Sequence, residues 1–154
     1  MIRIALEDPI GPDDERDVER IQRAALDDVG RGHEAGLPDL RDRDACDVYL
    51  FFASDGPLRV GFGALAHWTD PRWPGWYLRM SAVLPEYQGH GIARRLIRSR
   101  LRFAARNGAT EVLTYTLPGN AESNNALIAA GFRVHRPTVL YRGTWPIYWR
   151  RSLG

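Results

Sequence analysis

Ile2, Ile4 and Leu6 recur at every second position, which predicts a short strand over residues 2–6. Gly11-Pro12 followed by Asp13, Asp14 and Glu15 is a helix-start signal, with proline in the first turn and acids on the positive end of the helix dipole. Val18, Ile21, Ala25 and Val29 then recur at helical spacing until Gly30 stops the run. Residues 31–38 read as a polar connection and residues 39–46 as one further short helix. A compact apolar run over 48–53, a turn at Asp55-Gly56-Pro57, and alternation at Leu58, Val60, Phe62, Ala64 and Ala66 predict a hairpin. A loop over 68–75 leads into a strand over 77–84 that ends at Pro85, which has no N–H for a ladder.

From Ile92 the period returns to 3.6. Ile92, Leu96, Ile97, Leu101, Ala104 and Ala105 fall on one side of a helix that Asn107-Gly108 ends. Arg94, Arg98, Arg102 and Arg106 form a row on another side. Residues 111–117 predict a strand, and Pro118-Gly119-Asn120 turns into a short helix over 121–130 closed by Gly131. Residues 132–134, 139–141 and 147–149 supply one or two last strands, and 150–154 read as a tail. With no repeats, low-complexity segments or linkers, the 154 residues read as one domain in which helices lie on a mixed sheet.

Composition narrows the function classes. No apolar run reaches the length of a membrane span and no secretory signal is visible. The single cysteine, Cys46, excludes an internal disulfide and fits a reducing cytoplasm. The four histidines stand apart, which argues against a metal site. Charge is divided unevenly. Residues 1–55 carry 15 acids against 7 arginines, a net −8, whereas residues 56–154 carry 14 arginines against 4 acids, a net +10. A basic half suits a polyanionic ligand and an acidic half a cationic one, although a solvated acidic helix explains much of the asymmetry.

The stretch V-L-P-E-Y-Q-G-H-G-I-A over residues 83–93 joins strand, glycine-containing turn and helix start. Such a junction holds anions, because the first N–H groups of a helix point outward without partners and glycines clear the approach. No G-K-[ST] follows, so it is not a Walker loop, and Arg94 stands where a dinucleotide-binding fingerprint needs a third glycine.

Gln88-Gly89-His90-Gly91-Ile92-Ala93 resembles the Q/R-x-x-G-x-G/A signature of the GNAT N-acetyltransferases, in which the turn holds the pyrophosphate of acetyl-CoA. One strand later, Asn120-Ala121-Glu122-Ser123, followed by Gly131-Phe132 eight residues after Ser123, resembles the family's second signature. The resemblance covers residues 46–134, and the strand and helix before them agree with the start of the family. The resemblance implies a mixed α/β (α+β) fold, with a mainly antiparallel central sheet flanked by helices and strands splayed at the CoA site. It implies cofactor contacts from Met80, Ala82 and Val83 on the strand, from Gln88, Gly89, His90, Gly91, Ile92, Ala93 and Arg94 at the turn, and from Asn120 and Ser123. Asn120 also stands where a helix N-cap belongs. Acetyl-CoA is then the co-substrate and no metal takes part.

The chain departs from the family at the acid–base positions. Where many members carry a tyrosine that protonates the departing thiolate, this chain has Leu127. The strand Leu78-Arg79-Met80-Ser81-Ala82-Val83 has no carboxylate where several members carry a glutamate base. Glu86, Tyr77, Ser123, His67 and Tyr115 are the available substitutes, though packing or solvation is the commoner use of each. The expected activity is therefore N-acetyl transfer to a small-molecule or peptide amine by direct attack, driven mainly by positioning and backbone polarisation. A CoA-binding regulatory domain is the rival. A nucleic-acid binder is disfavoured, because the arginine row carries no recognition motif. Trp68, Trp73, Trp76, Trp145, Tyr148 and Trp149 are aromatic candidates for an acceptor pocket, for the core, or for the face of a homodimer.

Overall fold

The computed structural model describes residues 1–28, 46–71 and 74–154. Its sheet has seven strands in the order β1-β2-β3-β4-β5-β7-β6. In chain order these are β1 (Ile2–Glu7), β2 (Cys46–Asp55), β3 (Leu58–Trp68), β4 (Gly75–Val83), β5 (Glu111–Thr116), β6 (Arg133–Val134) and β7 (Ile147–Ser152). The helices are α1 (Pro12–Asp28), α2 (Ile92–Arg106) and α3 (Ala121–Ala129), with a 3-10 turn at Pro85–Tyr87 before α2. Every pairing is antiparallel except β4 with β5. The expected helix stop at Val29-Gly30, the connection 31–38, the helix over 39–45 and Trp73 lie outside the described residues, and Cys46 is strand rather than helix.

α1 starts as its sequence requires. Asp14, in the first turn, reaches back to accept from Gly11 N–H at 2.8 Å, half of a capping box. The Arg59 guanidinium on β3 then gathers Asp14 (2.6 Å), Asp17 (3.1 Å) and Glu7 (3.0 Å) and covers the Phe52 ring at 3.9 Å. Part of the acidic excess of the first third is thus spent on docking α1. Phe52 faces α1 through Arg59, whereas its neighbour Phe51 meets Phe103 of α2 edge-on. Side chains alternate along a strand, so the two helices cover opposite faces of the sheet. Val18 and Ile21 of α1 and Ile92, Leu96 and Ile97 of α2 are buried with Leu50, Phe52, Val60, Phe62 and Leu65.

Three expectations need correction. Residues 139–141 are not a strand: Tyr141 N–H and Gly143 N–H close tight turns on Val139 and Leu140 carbonyls, and the Tyr141 ring packs on Tyr77 and Tyr148. Residues 150–152 are not a tail but the end of β7, with Arg150 opposite Leu113 and Ser152 opposite Glu111. On α2, Leu101 is half-buried and Ala105 exposed, while the buried stripe runs Ile92, Leu96, Ile97, Arg100, Ala104.

Candidate active site

β4 and β5 pair at only two positions, Trp76 with Val112 and Tyr77 with Leu113. Thr114 Oγ1 donates to Leu78 O at 3.1 Å, and from there the two strands separate. On its other edge β4 carries a bulge, because Gly63 faces Ser81 but Leu65 faces Leu78, so Arg79 and Met80 together face Ala64. A bulge bends and twists the strand that carries it. The β4 edge from Met80 to Val83 therefore enters a fork with no strand beside it among the described residues.

The fork leads to the glycine turn. Leu84 N–H donates to Val60 O at 2.8 Å, so the Val83 carbonyl, at the other end of that peptide, points away from β3. There the Gln88 side-chain amide donates to it at 3.0 Å and ties the turn to the strand. Gly89 and Gly91 have φ of +80° and +79°, a region costly for other residues, and a Cβ at either would meet nothing within 4 Å. Arg95 N–H donates to Gly91 O at 3.1 Å as the first link of α2, which leaves Ile92, Ala93 and Arg94 N–H groups without intrahelical acceptors. No side chain caps this end and no acid stands in its first turn. An uncapped, positive helix end beside open space suits an anion.

A cavity of about 260 Å³ opens here, lined by Val83, Gln88, Gly89, Gly91, Ile92, Ala93 and Arg94 among the residues expected from the sequence. Tyr87 and, from α3, Glu122, Asn125 and Ala126 complete it. The i, i+3 spacing of Glu122 and Asn125 was the available signal for that wall. Met80, Ala82, His90, Asn120 and Ser123 do not line this cavity. Met80 and Ala82 lie along the fork, and His90 is exposed with Nδ1 2.9 Å from Gln88 O. Asn120 caps α3, its Oδ1 accepting from Ser123 N–H at 3.2 Å.

The acid–base candidates are scattered. Glu86 is exposed on the 3-10 turn, outside the cavity. Tyr77 is buried, and burial together with the charge of Glu111 pushes its hydroxyl up to about 12. His67 stacks on Trp76, ring centroids 4.1 Å apart. Tyr115 lies in a cluster with Tyr141 and Trp145. Leu127 is buried in the core. Of the aromatic candidates, Trp76, Tyr148 and Trp149 are buried and Trp145 is 53% exposed.

A sequence model of the acetyltransferase (GNAT) family matches residues 16–132. The chain belongs to the GNAT family. Membership places the protein among the acyltransferases, and the mixed, mostly antiparallel sheet with its helices matches the fold of solved GNAT structures. A GNAT acetyltransferase of Staphylococcus aureus aligns over 100% of both chains with a TM-score of 0.78 at 14% identity. One from Brucella melitensis, solved in complex with acetyl-CoA, aligns over 100% of this chain and 89% of its own, with a TM-score of 0.69 at 19% identity. The ribosomal-protein-S18-alanine N-acetyltransferase of Escherichia coli aligns over 99% of this chain and 94% of its own, with a TM-score of 0.67 at 18% identity. No curated protein sequence gives a significant match to this GNAT chain.

Proposed function

We propose that this chain, acting as a single domain, is an N-acetyltransferase that transfers the acetyl group of acetyl-CoA to the amine of a small-molecule or peptide acceptor by direct attack. The observation that carries the reading is the open β4 edge running into an uncapped helix end through two glycines of positive φ. Acetyl-CoA supplies an activated acyl thioester. The N–H groups of Gly89 to Arg94 would hold its pyrophosphate, with Arg94 adding charge at the cavity wall and Glu122 opposing it. The backbone of Met80 to Val83 would pair with the pantetheine arm as an extra strand, and Asn120 would contact that arm while capping α3.

No titratable group is assigned as base. A neutral amine attacks a thioester readily once positioned, and thiolate is a good leaving group, so orientation and backbone polarisation account for the acceleration. A cytoplasmic location fits the single, buried cysteine, Cys46, and the reading includes neither nucleic acid nor membrane as partner. Among the described residues no helix is long and apolar enough to cross a membrane. The rival reading is a CoA-binding regulatory domain, favoured by the core position of Leu127 and the absence of a carboxylate on β4. Release of CoA thiol across a panel of amines tests the choice. Amine-dependent release supports the enzyme, whereas tight CoA binding without release from any amine supports the regulator.

A further inference from the structure

Arg100 stands where the helix pattern asks for an apolar residue. It lies four residues after Leu96 and four before Ala104, both fully buried, and is itself 1% exposed. A charge so placed is costly unless its donors are matched. They are matched by main chain: Nε donates to Leu96 O at 3.2 Å, and Nη1 donates to Ala64 O at 3.0 Å and Arg79 O at 3.1 Å. No carboxylate pairs with it among the described residues. Burial pushes its pKa down to about 9, so it remains a cation at neutral pH.

Ala64 and Arg79 are the two sides of the β4 bulge. The guanidinium occupies the space that the missing side chain of Gly63 leaves, and bridges carbonyls of neighbouring strands. The Arg79 carbonyl and the Met80 N–H belong to one trans peptide and point in opposite directions, so the N–H is directed away from Arg100. Donation to the carbonyl polarises that N–H further. At the far end of the same stretch Gln88 holds the Val83 carbonyl. The four residues entering the fork are thus gripped at both ends.

We infer that Arg100 is a positioning residue for acetyl transfer: through the Ala64 and Arg79 carbonyls it fixes the β4 bulge and so aims the Met80–Val83 backbone at the acyl thioester. This rests on the acetyltransferase reading given above. Arg100 is 1% exposed and is not among the residues lining the cavity at Gly89–Arg94.

The test compares the wild type with Arg100→Met and Arg100→Lys. CoA affinity is measured by calorimetry, kcat and KM by thiol release, and the carbonyl stretch of bound acetyl-CoA by infrared difference spectroscopy. Arg100→Met should keep CoA affinity within about threefold while kcat falls roughly tenfold or more, less than or equal to the loss of a whole oxyanion donor. Its bound thioester should vibrate closer to the frequency in water, and Arg100→Lys should recover part of both effects. If Arg100→Met does not fold, Arg100→Lys alone should show the same split between kcat and CoA affinity. Wild-type kcat and carbonyl frequency in the substituted protein would overturn the inference, as would a loss of CoA affinity in proportion to kcat. A wild-type protein that does not bind acetyl-CoA would instead defeat the acetyltransferase reading itself.

Discussion

A methyl carbon on Gly63 of β3 would lie 2.7 Å from Cζ and 2.8 Å from Nε of Arg100 on α2. The glycine and the arginine are therefore one structural unit: the smallest side chain on the strand makes room for a long one arriving from the helix. Neither has an evident reason to be there without the other.

Gly63→Ala should push the guanidinium off the Ala64 and Arg79 carbonyls and destabilise the fold by about 1–3 kcal/mol, the usual cost of overpacking. Urea denaturation of both single variants and of the Gly63→Ala, Arg100→Met double variant checks this. Once the arginine is gone the alanine has space, so the double variant should lose less than the two single losses combined. Strict additivity would show that the two residues do not share the site.

Gly91→Ala and Gly91→Asp separate backbone strain from charge at the turn. Gly91 holds φ +79° at the start of α2, so alanine there should cost about 1 kcal/mol of stability. Aspartate adds a carboxylate against the phosphates, and like charges in a shared site repel. Calorimetry should show CoA binding weakened at least about 100-fold by aspartate, a few kcal/mol, and far less by alanine. Equal affinities for the two variants would move the pyrophosphate away from this turn.

How much of this was legible in the sequence depended on how local each feature is. The turn at 88–93 could be read because strand end, glycines and helix start are contiguous. The fork could not be read from periodicity, because it depends on β4 and β5 ceasing to pair after Tyr77 and Leu113, a matter of register between distant segments; it came in through the family resemblance. Arg100 was hidden among the exposed Arg94, Arg98, Arg102 and Arg106, and only its phase with Leu96 and Ala104 marked it as inward. In the sequence the end of β7 reads as a tail, since Arg150 and Arg151 are charged and no apolar alternation continues past Trp149. Within the sheet, Arg150 is exposed and Arg151 turns its Nε to Ala130 O at 3.1 Å.

Tyr77 gives stability a pH dependence of known sign. Its hydroxyl is pushed up to about 12 by burial and, after that, by the charge of Glu111. An unfolded tyrosine titrates near 10, so above about pH 10 the unfolded chain releases a proton that the folded chain keeps. The stabilisation is complete below about pH 10 and is lost as pH rises to about 12. Tyr141, pushed up by burial and by the neighbouring Tyr77, acts in the same direction. Tyr77→Phe should flatten the fall in urea midpoint across that window relative to wild type. Identical slopes for the two proteins would show that Tyr77 does not contribute to it.

Leu127 decides whether the chain can be given the acid it lacks. The family resemblance implies a tyrosine acid at this position, and a leucine aimed at the thiolate would leave room for a phenol. Here Leu127 is 5% exposed and belongs to the core. The α3 residues that line the cavity are instead Glu122, Asn125 and Ala126. Leu127→Tyr should therefore overpack the core, lowering stability by about 1–3 kcal/mol, and the larger side chain must also find a partner for its hydroxyl. CoA affinity should stay near wild type, since the cradle is untouched, and the single-turnover rate of acetyl transfer should not rise. A variant that keeps its melting temperature and transfers acetyl faster would show the opposite: that this position opens onto the thiolate and that proton donation to it limits the wild-type rate.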